Sequence, residues 1–453
     1  MIDKKLYLYS TFTCFFQIMR YHRNHVLYNT GSKKLKICVI GSGISGLSAG
    51  WLLSQKHQVT LFESADYLGG HTNTVDVTLE GVTHPVDTGF LVHNDLTYPN
   101  LISMFSHLGV ATYPSNMSFS VKLPNQGIEW AGSNLKTVFG QKANIFRPGF
   151  LGMLKDILRF NKQAQELLGI SEREQLTLGQ LLDRGGYGAA FRDWYLLPMA
   201  AAIWSSSPRD ILEFPASTFL RFCLNHRLLQ VKGRPEWRSI VGGGRSYVEK
   251  LAAPLDIQLG SPVSSLTRSN GQVTVTSNGS QQTFDAAVLA THAPDSLRIL
   301  ADADHEEAKI LGAVSYQPNL AILHTDRRLL PQRESLWSAW NYLSAGNDKS
   351  RSVCVTYLLN RLQKLPFKTP LMVTLNPPEE MIPEGEIARF HYDHPVFDKP
   401  AISAQTQISS IQGKNLTWFC GAWCGYGFHE DGLKSALNII SDFNVEAPWE
   451  VVL

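Results

Sequence analysis

Long apolar runs, a disulfide framework, charge of one sign and internal repeats are all missing from this chain. No stretch reaches the roughly 18 consecutive apolar residues that suggest a membrane-spanning helix. Six cysteines in 453 residues make neither a disulfide framework nor a metal-ligand pattern. Reduced thiols in a cytoplasmic setting fit that usage best. Net charge is +2 with no basic stripe, so nucleic acid is not an expected partner. With 18% charged and 44% hydrophobic residues, the chain reads as globular and long enough for two or three domains. A second dinucleotide motif is also lacking, because VGGGRSYV (241–248) does not have the spacing.

What is present is concentrated between residues 36 and 71. The apolar run Lys36–Ile40 enters Gly41-Ser42-Gly43-Ile44-Ser45-Gly46, a helical stretch follows, and Val59–Glu63 ends in an acid 22 residues after the first glycine. Gly41 suits a tight turn, Gly43 permits backbone to approach a pyrophosphate, and Gly46 lets helix and strand pack closely. The helix N-terminus offers free N–H groups to phosphate oxygens. Glu63 suits the two hydroxyls of an unphosphorylated ribose. Together these predict a dinucleotide site.

The residues after Glu63 narrow the choice. Gly69-Gly70-His71 follows, and then VDTGF at 86–90, which includes Thr88, Gly89 and Phe90. This arrangement resembles the flavoprotein superfamily of amine oxidases, protoporphyrinogen oxidases and phytoene desaturases. The family usually has arginine where this chain has His71. The resemblance runs from Lys36 onward. It includes FDAAVLATHAP (284–294), Ser261-Pro262-Val263 and WFCGAWCGYGFHEDGLKSALNII (418–440). It is nearest to a bacterial group of predicted NAD/FAD-binding amine-oxidase-like proteins, through YLLPMAAAIWSSSP (195–208), MVTLNP (372–377), HYDHPVFD (391–398) and GYGFHEDGL (425–433). That group's genes often accompany cyclopropane-fatty-acid synthases, which implies lipid modification.

The resemblance implies an α/β fold: a Rossmann-like FAD-binding domain with an inserted α+β substrate-binding domain. The FAD domain is expected from 36–100, 220–294 and 417–453, and the substrate or cap domain from 101–219 and 295–416. Residues 1–35 form a basic, aromatic-rich extension set apart from the fold. Noncovalent FAD is implied, with Gly41, Ser42, Gly43, Ser45, Gly46, Glu63, Gly69, Gly70, His71, Thr88, Gly89, Val263, Gly421, Gly427, Asp431 and Gly432 as its contacts. Near Asp431 and Gly432 a helix N-terminus is expected to face the flavin.

Flavin performs the redox step, so the protein has mainly to position a substrate bond against N5. Phe90, Phe428 and His429 are the candidates beside the ring, and His429 is the proton-handling candidate on the ground that imidazole titrates near neutrality. Trp340, Tyr357 and Trp423 are candidates for a substrate wall, with core packing as the alternative for each. No motif places the lysine that amine oxidases commonly hold near N5. In HYDHP (391–395), strand alternation puts His391 and Asp393 on one face and turns His394 away, a poor metal set. Cys420 and Cys424 read as small buried residues rather than a redox pair.

The resulting expectation is an FAD-dependent oxidoreductase that removes hydride from a small apolar or lipid-like substrate, with an amine as the alternative substrate. Dioxygen or another acceptor would reoxidise the flavin. A non-redox, flavin-binding accessory protein of a lipid-modifying system is the alternative of another class. The Ile145–Phe160 segment, with Arg147, Lys155 and Arg159, leaves a peripheral membrane contact open.

Overall fold

The computed structural model describes residues 33–230, 233–344 and 353–452. Of the extension expected over 1–35, residues 1–32 lie outside this description.

Five parallel strands make the first sheet, in the order Asp256–Gln258, Gln58–Phe62, Lys36–Ile40, Ala286–Leu289 and Thr417–Phe419. Its central strands are buried on both faces, which is why ICVI and AAVL read as unbroken apolar runs. Ile37 and Val39 pack into one core with helices Ile44–Ser54 and His429–Ile440. Cys38 and Ile40 pack on the other side, against the meander Val263–Ser269, Gln272–Ser277 and Ser280–Phe284. Because every ladder is parallel, the carboxyl ends of these strands share one edge, where ligands bind in such sheets. Gly41, Glu63, Ala290 and Cys420 each directly follow one of those ends. The fold is therefore Rossmann-like, assembled from segments far apart in sequence.

A second sheet of seven strands runs in the order Glu386–His391, Leu320–His324, Met372–Leu375, Cys354–Leu358, Trp340–Leu343, Phe119–Leu123 and Ile128–Ala131. Helices Pro148–Glu174 and Ala216–Asn225 pack on each other beside it and share its apolar core.

The inserted boundaries differ from expectation at two places. Phe219, Leu220 and Phe222 lie in the core of the second sheet, although 220 was expected to begin the return to the first. The chain comes back later, through Trp237–Ile240 and helix Arg245–Ala252, whose Tyr247 and Leu251 enter the first core. Conversely, Ala401 and Ala404 of helix Lys399–Gln407 pack under the parallel sheet. Apolar periodicity shows that a helix has a buried face but not which of two cores receives it.

Candidate active site

One cavity of about 870 Å³ opens along the carboxyl edge of the parallel sheet and continues to the second sheet. Its floor begins at the glycine turn. Gly41 has φ +100°, and a Cβ there would stand 2.9 Å from the Ala290 carbonyl oxygen. A Cβ on Gly43 would meet nothing within 4 Å, so this backbone faces open space in the cavity wall. Gly46 does not line the cavity. A Cβ there would lie 1.9 Å from the Gly41 oxygen, so Gly46 seats the helix against the turn. Ser42 donates to Glu63 Oε2 twice, from its N–H at 2.8 Å and its Oγ at 2.6 Å, and Ala65 N–H donates to Oε1 at 2.9 Å. The exposed Ser64 Oγ adds a fourth donor, to Oε1 at 3.2 Å, which fills the about four acceptor positions of a carboxylate. Glu63 is thus firmly oriented, and a ligand hydroxyl would take the place of the Ser64 hydroxyl. Ser45 and Val263 line the cavity too.

The glycine pair lies against this turn. Gly69 (φ +113°) donates its N–H to the Ser42 carbonyl at 3.1 Å, and a Cβ on Gly70 would be 3.2 Å from Gly43 Cα. The VDTGF loop locks onto the same segment. Phe90 N–H donates to the His71 carbonyl at 2.8 Å, and a Cβ on Gly89 would fall 2.1 Å from that oxygen. Thr88 Oγ1 donates to the Asn73 carbonyl and lies 2.8 Å from the Tyr392 hydroxyl.

His71 has a buried Nε2 with no protein partner. Around it stand His394 at 5.4 Å, His292 at 6.3 Å and Tyr392 at 5.1 Å between ring centroids. Burial, and after it the neighbouring histidines, hold His71 well below the usual imidazole range. Burial with His292 beside it pushes His394 down to about 4. Where the family usually has a permanent cation, this chain has neutral rings.

The C-terminal turn supplies the facing wall, with Gly421, Gly427 (φ +91°), Phe428 and His429 all on the cavity. Asp431 and Gly432 do not reach it. Asp431 Oδ2 accepts the Phe428 N–H at 3.0 Å and caps helix His429–Ile440. A Cβ on Gly432 would come 2.7 Å from Ile44 Cγ2 and 2.8 Å from Ser45 Oγ. Gly432 thus brings the two helix N-termini together, and Asp431 caps its own helix, rather than facing the open space.

His429 stacks on Phe90 at 3.5 Å between centroids, and its Nε2 lies 2.8 Å from Thr72 Oγ1. Burial, with His93 nearby, pushes it down to about 3. The expectation of a near-neutral titration is therefore overturned, and His429 is a neutral, hydrogen-bonded ring at ordinary pH. HYDHP also departs from expectation. The strand ends at His391, which is exposed, while Asp393 and His394 both line the cavity. The pairing runs on past His391 without a register shift, Tyr392 with Asn319 and His394 with Gln317. Among the described residues no group of three or more His, Cys, Asp or Glu is placed to hold a metal. Burial pushes Cys420 up to about 12 and Cys424 well above the usual thiol range, so neither is a ready thiolate.

Trp340 and Tyr357 meet edge to face at 5.0 Å and line the far part of the cavity, with Met117, Ile203, Phe222 and Leu375. Trp423 lines it as well, fully buried. No lysine is among the lining residues. Tyr316 and His292, which no motif singled out, stack at 4.2 Å in the wall. The only signal for His292 was its place just past strand Ala286–Leu289, at the ligand-binding edge.

The residues fit a dinucleotide on two observations: the open wall at Gly43 and the unpartnered Nε2 of His71. Comparison with known proteins agrees. The profile of the family described as flavin containing amine oxidoreductase matches residues 44–361. A fatty acid isomerase from P. acnes that produces CLA superposes with a TM-score of 0.65 at 17% identity, over 92% of this chain and 100% of that one. A putrescine oxidase solved with putrescine gives 0.63 at 14%, over 91% and 99%. Cyclohexylamine oxidase from Brevibacterium oxydans IH-35A gives 0.60 at 15%, over 91% and 100%. No curated protein matches. At these identities the solved structures speak for the fold alone.

Proposed function

The chain belongs to the flavin-containing amine oxidoreductase family, and from that premise we propose that it oxidises an apolar or lipid-like substrate. As a family member it is a flavin oxidoreductase whose cofactor is FAD. The observation that carries the substrate reading is the continuity of one cavity from the Gly41–Glu63 turn to the aromatic wall of Trp340 and Tyr357. That wall offers apolar side chains; besides Glu63, the carboxylates on the cavity are Asp295, which lies 3.6 Å from His292, and Asp393, next to His394 in the chain.

When bound, FAD would supply a two-electron acceptor for hydride from a substrate C–H bond, to be reoxidised by dioxygen or another acceptor. The protein's part is binding and exclusion. Glu63 would accept the ribose hydroxyls, and the 41–46 turn with the N-terminus of helix Ile44–Ser54 would receive the diphosphate. His71 Nε2 gains the partner it lacks, and Val263, Thr88, Gly89, Gly421 and Gly427 complete the cradle, without a covalent link. Phe90 and His429 form a stiff, neutral surface, and His429 takes no proton at neutral pH. Trp340 and Tyr357 keep water from an apolar chain. An acyl chain is in keeping with the fatty acid isomerase among the neighbours, and a lipid-like substrate goes with a peripheral membrane contact in the cytoplasm, where free cysteines such as Cys38 and Cys420 persist.

The test is anaerobic mixing of the holoprotein with saturated and unsaturated fatty acids on one side and with putrescine and cyclohexylamine on the other. Flavin bleaching by the acyl panel supports the proposal. Bleaching by amines alone overturns its substrate class.

A further inference from the structure

We propose that the outer face of helix Pro148–Glu174, with the turn Lys142–Phe146 leading into it, docks on an anionic lipid bilayer. This rests on the peripheral contact in the reading above and gives it a surface and a lipid charge. Leu151, Lys155, Leu158 and Lys162 recur at the spacing of one helix face, and all four are exposed. The opposite face buries Phe150, Met153, Phe160 and Ala164. Leu158 is 65% exposed, and Phe146, at the end of the preceding turn, is 84% exposed with Ile145 beside it at 45%. One exposed leucine on a helix is ordinary, whereas several on one face of a single helix and its lead-in turn mark an interaction site.

Charge selects the occupant. Between residues 133 and 162 the chain has six basic residues and a single acid, Asp156, whereas residues 163–174 carry Glu166, Glu172 and Glu174 against Arg173, so the docking surface is the first half of the helix with its lead-in turn. That acid is paired with Arg159 at 3.1 Å and accepts the Gly188 N–H at 3.0 Å. Net charge over the whole chain is only +2, so the excess is local. Apolar side chains interleaved with lysines are the pattern of a helix lying in the headgroup layer, its lysine stems along the apolar zone and their heads at lipid phosphates. Anionic lipid adds attraction for each basic side chain near the surface. Residues 1–32 carry Lys4, Lys5, Arg20 and Arg23 against Asp3, the wrong sign to cover this face. A second copy would bring the same positive face against itself.

The test is co-sedimentation of the full chain with vesicles of phosphatidylcholine alone, and of phosphatidylcholine and phosphatidylglycerol in a two-to-one ratio. It reads binding without turnover, so its failure leaves the reading of the cavity standing. The wild type is expected to bind the anionic vesicles and to release them at high salt. K142E/K155E is expected to weaken partitioning at least about tenfold. F146E/L158E is expected to weaken it as well, with melting unchanged because both side chains are exposed. Ile387→Glu, exposed elsewhere, is expected to bind as the wild type does. Three results would overturn the proposal: wild-type binding no stronger with phosphatidylglycerol than without it, both double variants binding like the wild type, or sedimentation velocity showing a dimer that F146E/L158E converts to monomer.

Discussion

Two glycines three residues apart in the same turn are expected to respond in opposite ways to a single added methyl group. In Gly43→Ala the new Cβ meets no protein atom within 4 Å, and φ −63°, ψ 178° at this position is open to any residue. Gly43 is the residue before helix Ile44–Ser54, where alanine is a poorer cap than glycine, so the apoprotein should lose no more than about 1 kcal/mol. The methyl does, however, stand in the space proposed for the diphosphate. Forcing one methyl group into a close contact costs about 1–3 kcal/mol, which is about 5- to 150-fold in Kd. In Gly46→Ala the Cβ falls 1.9 Å from the Gly41 oxygen, a backbone atom with no rotamer to move. Helix and strand must part, and the apoprotein itself should lose about 3 kcal/mol or more. The assay pairs thermal melting of both apoproteins with fluorescence titration by FAD. Gly43→Ala should melt like the wild type and bind FAD weakly, while Gly46→Ala should melt early. Wild-type FAD affinity in Gly43→Ala, or a wild-type melt in Gly46→Ala, would refute the division of roles.

Replacing Glu63 with Ala removes the acceptor of both Ser42 donors and of the proposed ribose bonds. At about 1.5–3 kcal/mol for a hydrogen bond to a charged group, FAD titration should show Kd raised by at least about tenfold. Trp340→Ala should raise KM for an apolar substrate by about tenfold or more while leaving FAD affinity unchanged, and equal losses in both would contradict a substrate-wall role. Stability should depend on pH with a definite sign. Burial holds His93, His226, His324 and His394 at about 4 and His429 at about 3 in the folded chain, against 6.5 when unfolded. Below 6.5 the unfolded chain takes up protons that the folded chain refuses, so stability is full above that pH and is lost as pH falls toward 4, on the order of 1 kcal/mol or more per histidine. Asp87 and Asp431, both pushed up to about 6 by burial, oppose this but are fewer. Urea midpoints should therefore fall from pH 7 to pH 5, and a rise would mean that the carboxylates dominate.

The parallel sheet and its ligand edge were legible because their signals are local. Gly41, Gly43 and Gly46, an acid at a fixed distance and the paired Gly69-Gly70 each report a backbone constraint that few other residues satisfy. What was hidden depends on a third dimension. Asp431 sits in a motif that the resemblance placed by the flavin, yet it caps its own helix, because a short carboxylate three residues inside a helix start reaches back to its backbone. His429 looked like a titrating group because sequence does not show burial, and burial decides its charge. The return of the chain to the first core after residue 229 was misplaced because the amphipathic helix Ala216–Asn225 would satisfy either core equally.

The most direct measurement is a crystal structure of the holoprotein with FAD and a bound fatty acid. The account predicts adenosine beside Glu63 and Val263, the flavin ring beside Phe90 and His429, and the acyl chain against Trp340 and Tyr357. An acyl chain bound outside this cavity, or a flavin lying away from the Phe90 and His429 wall, would contradict it.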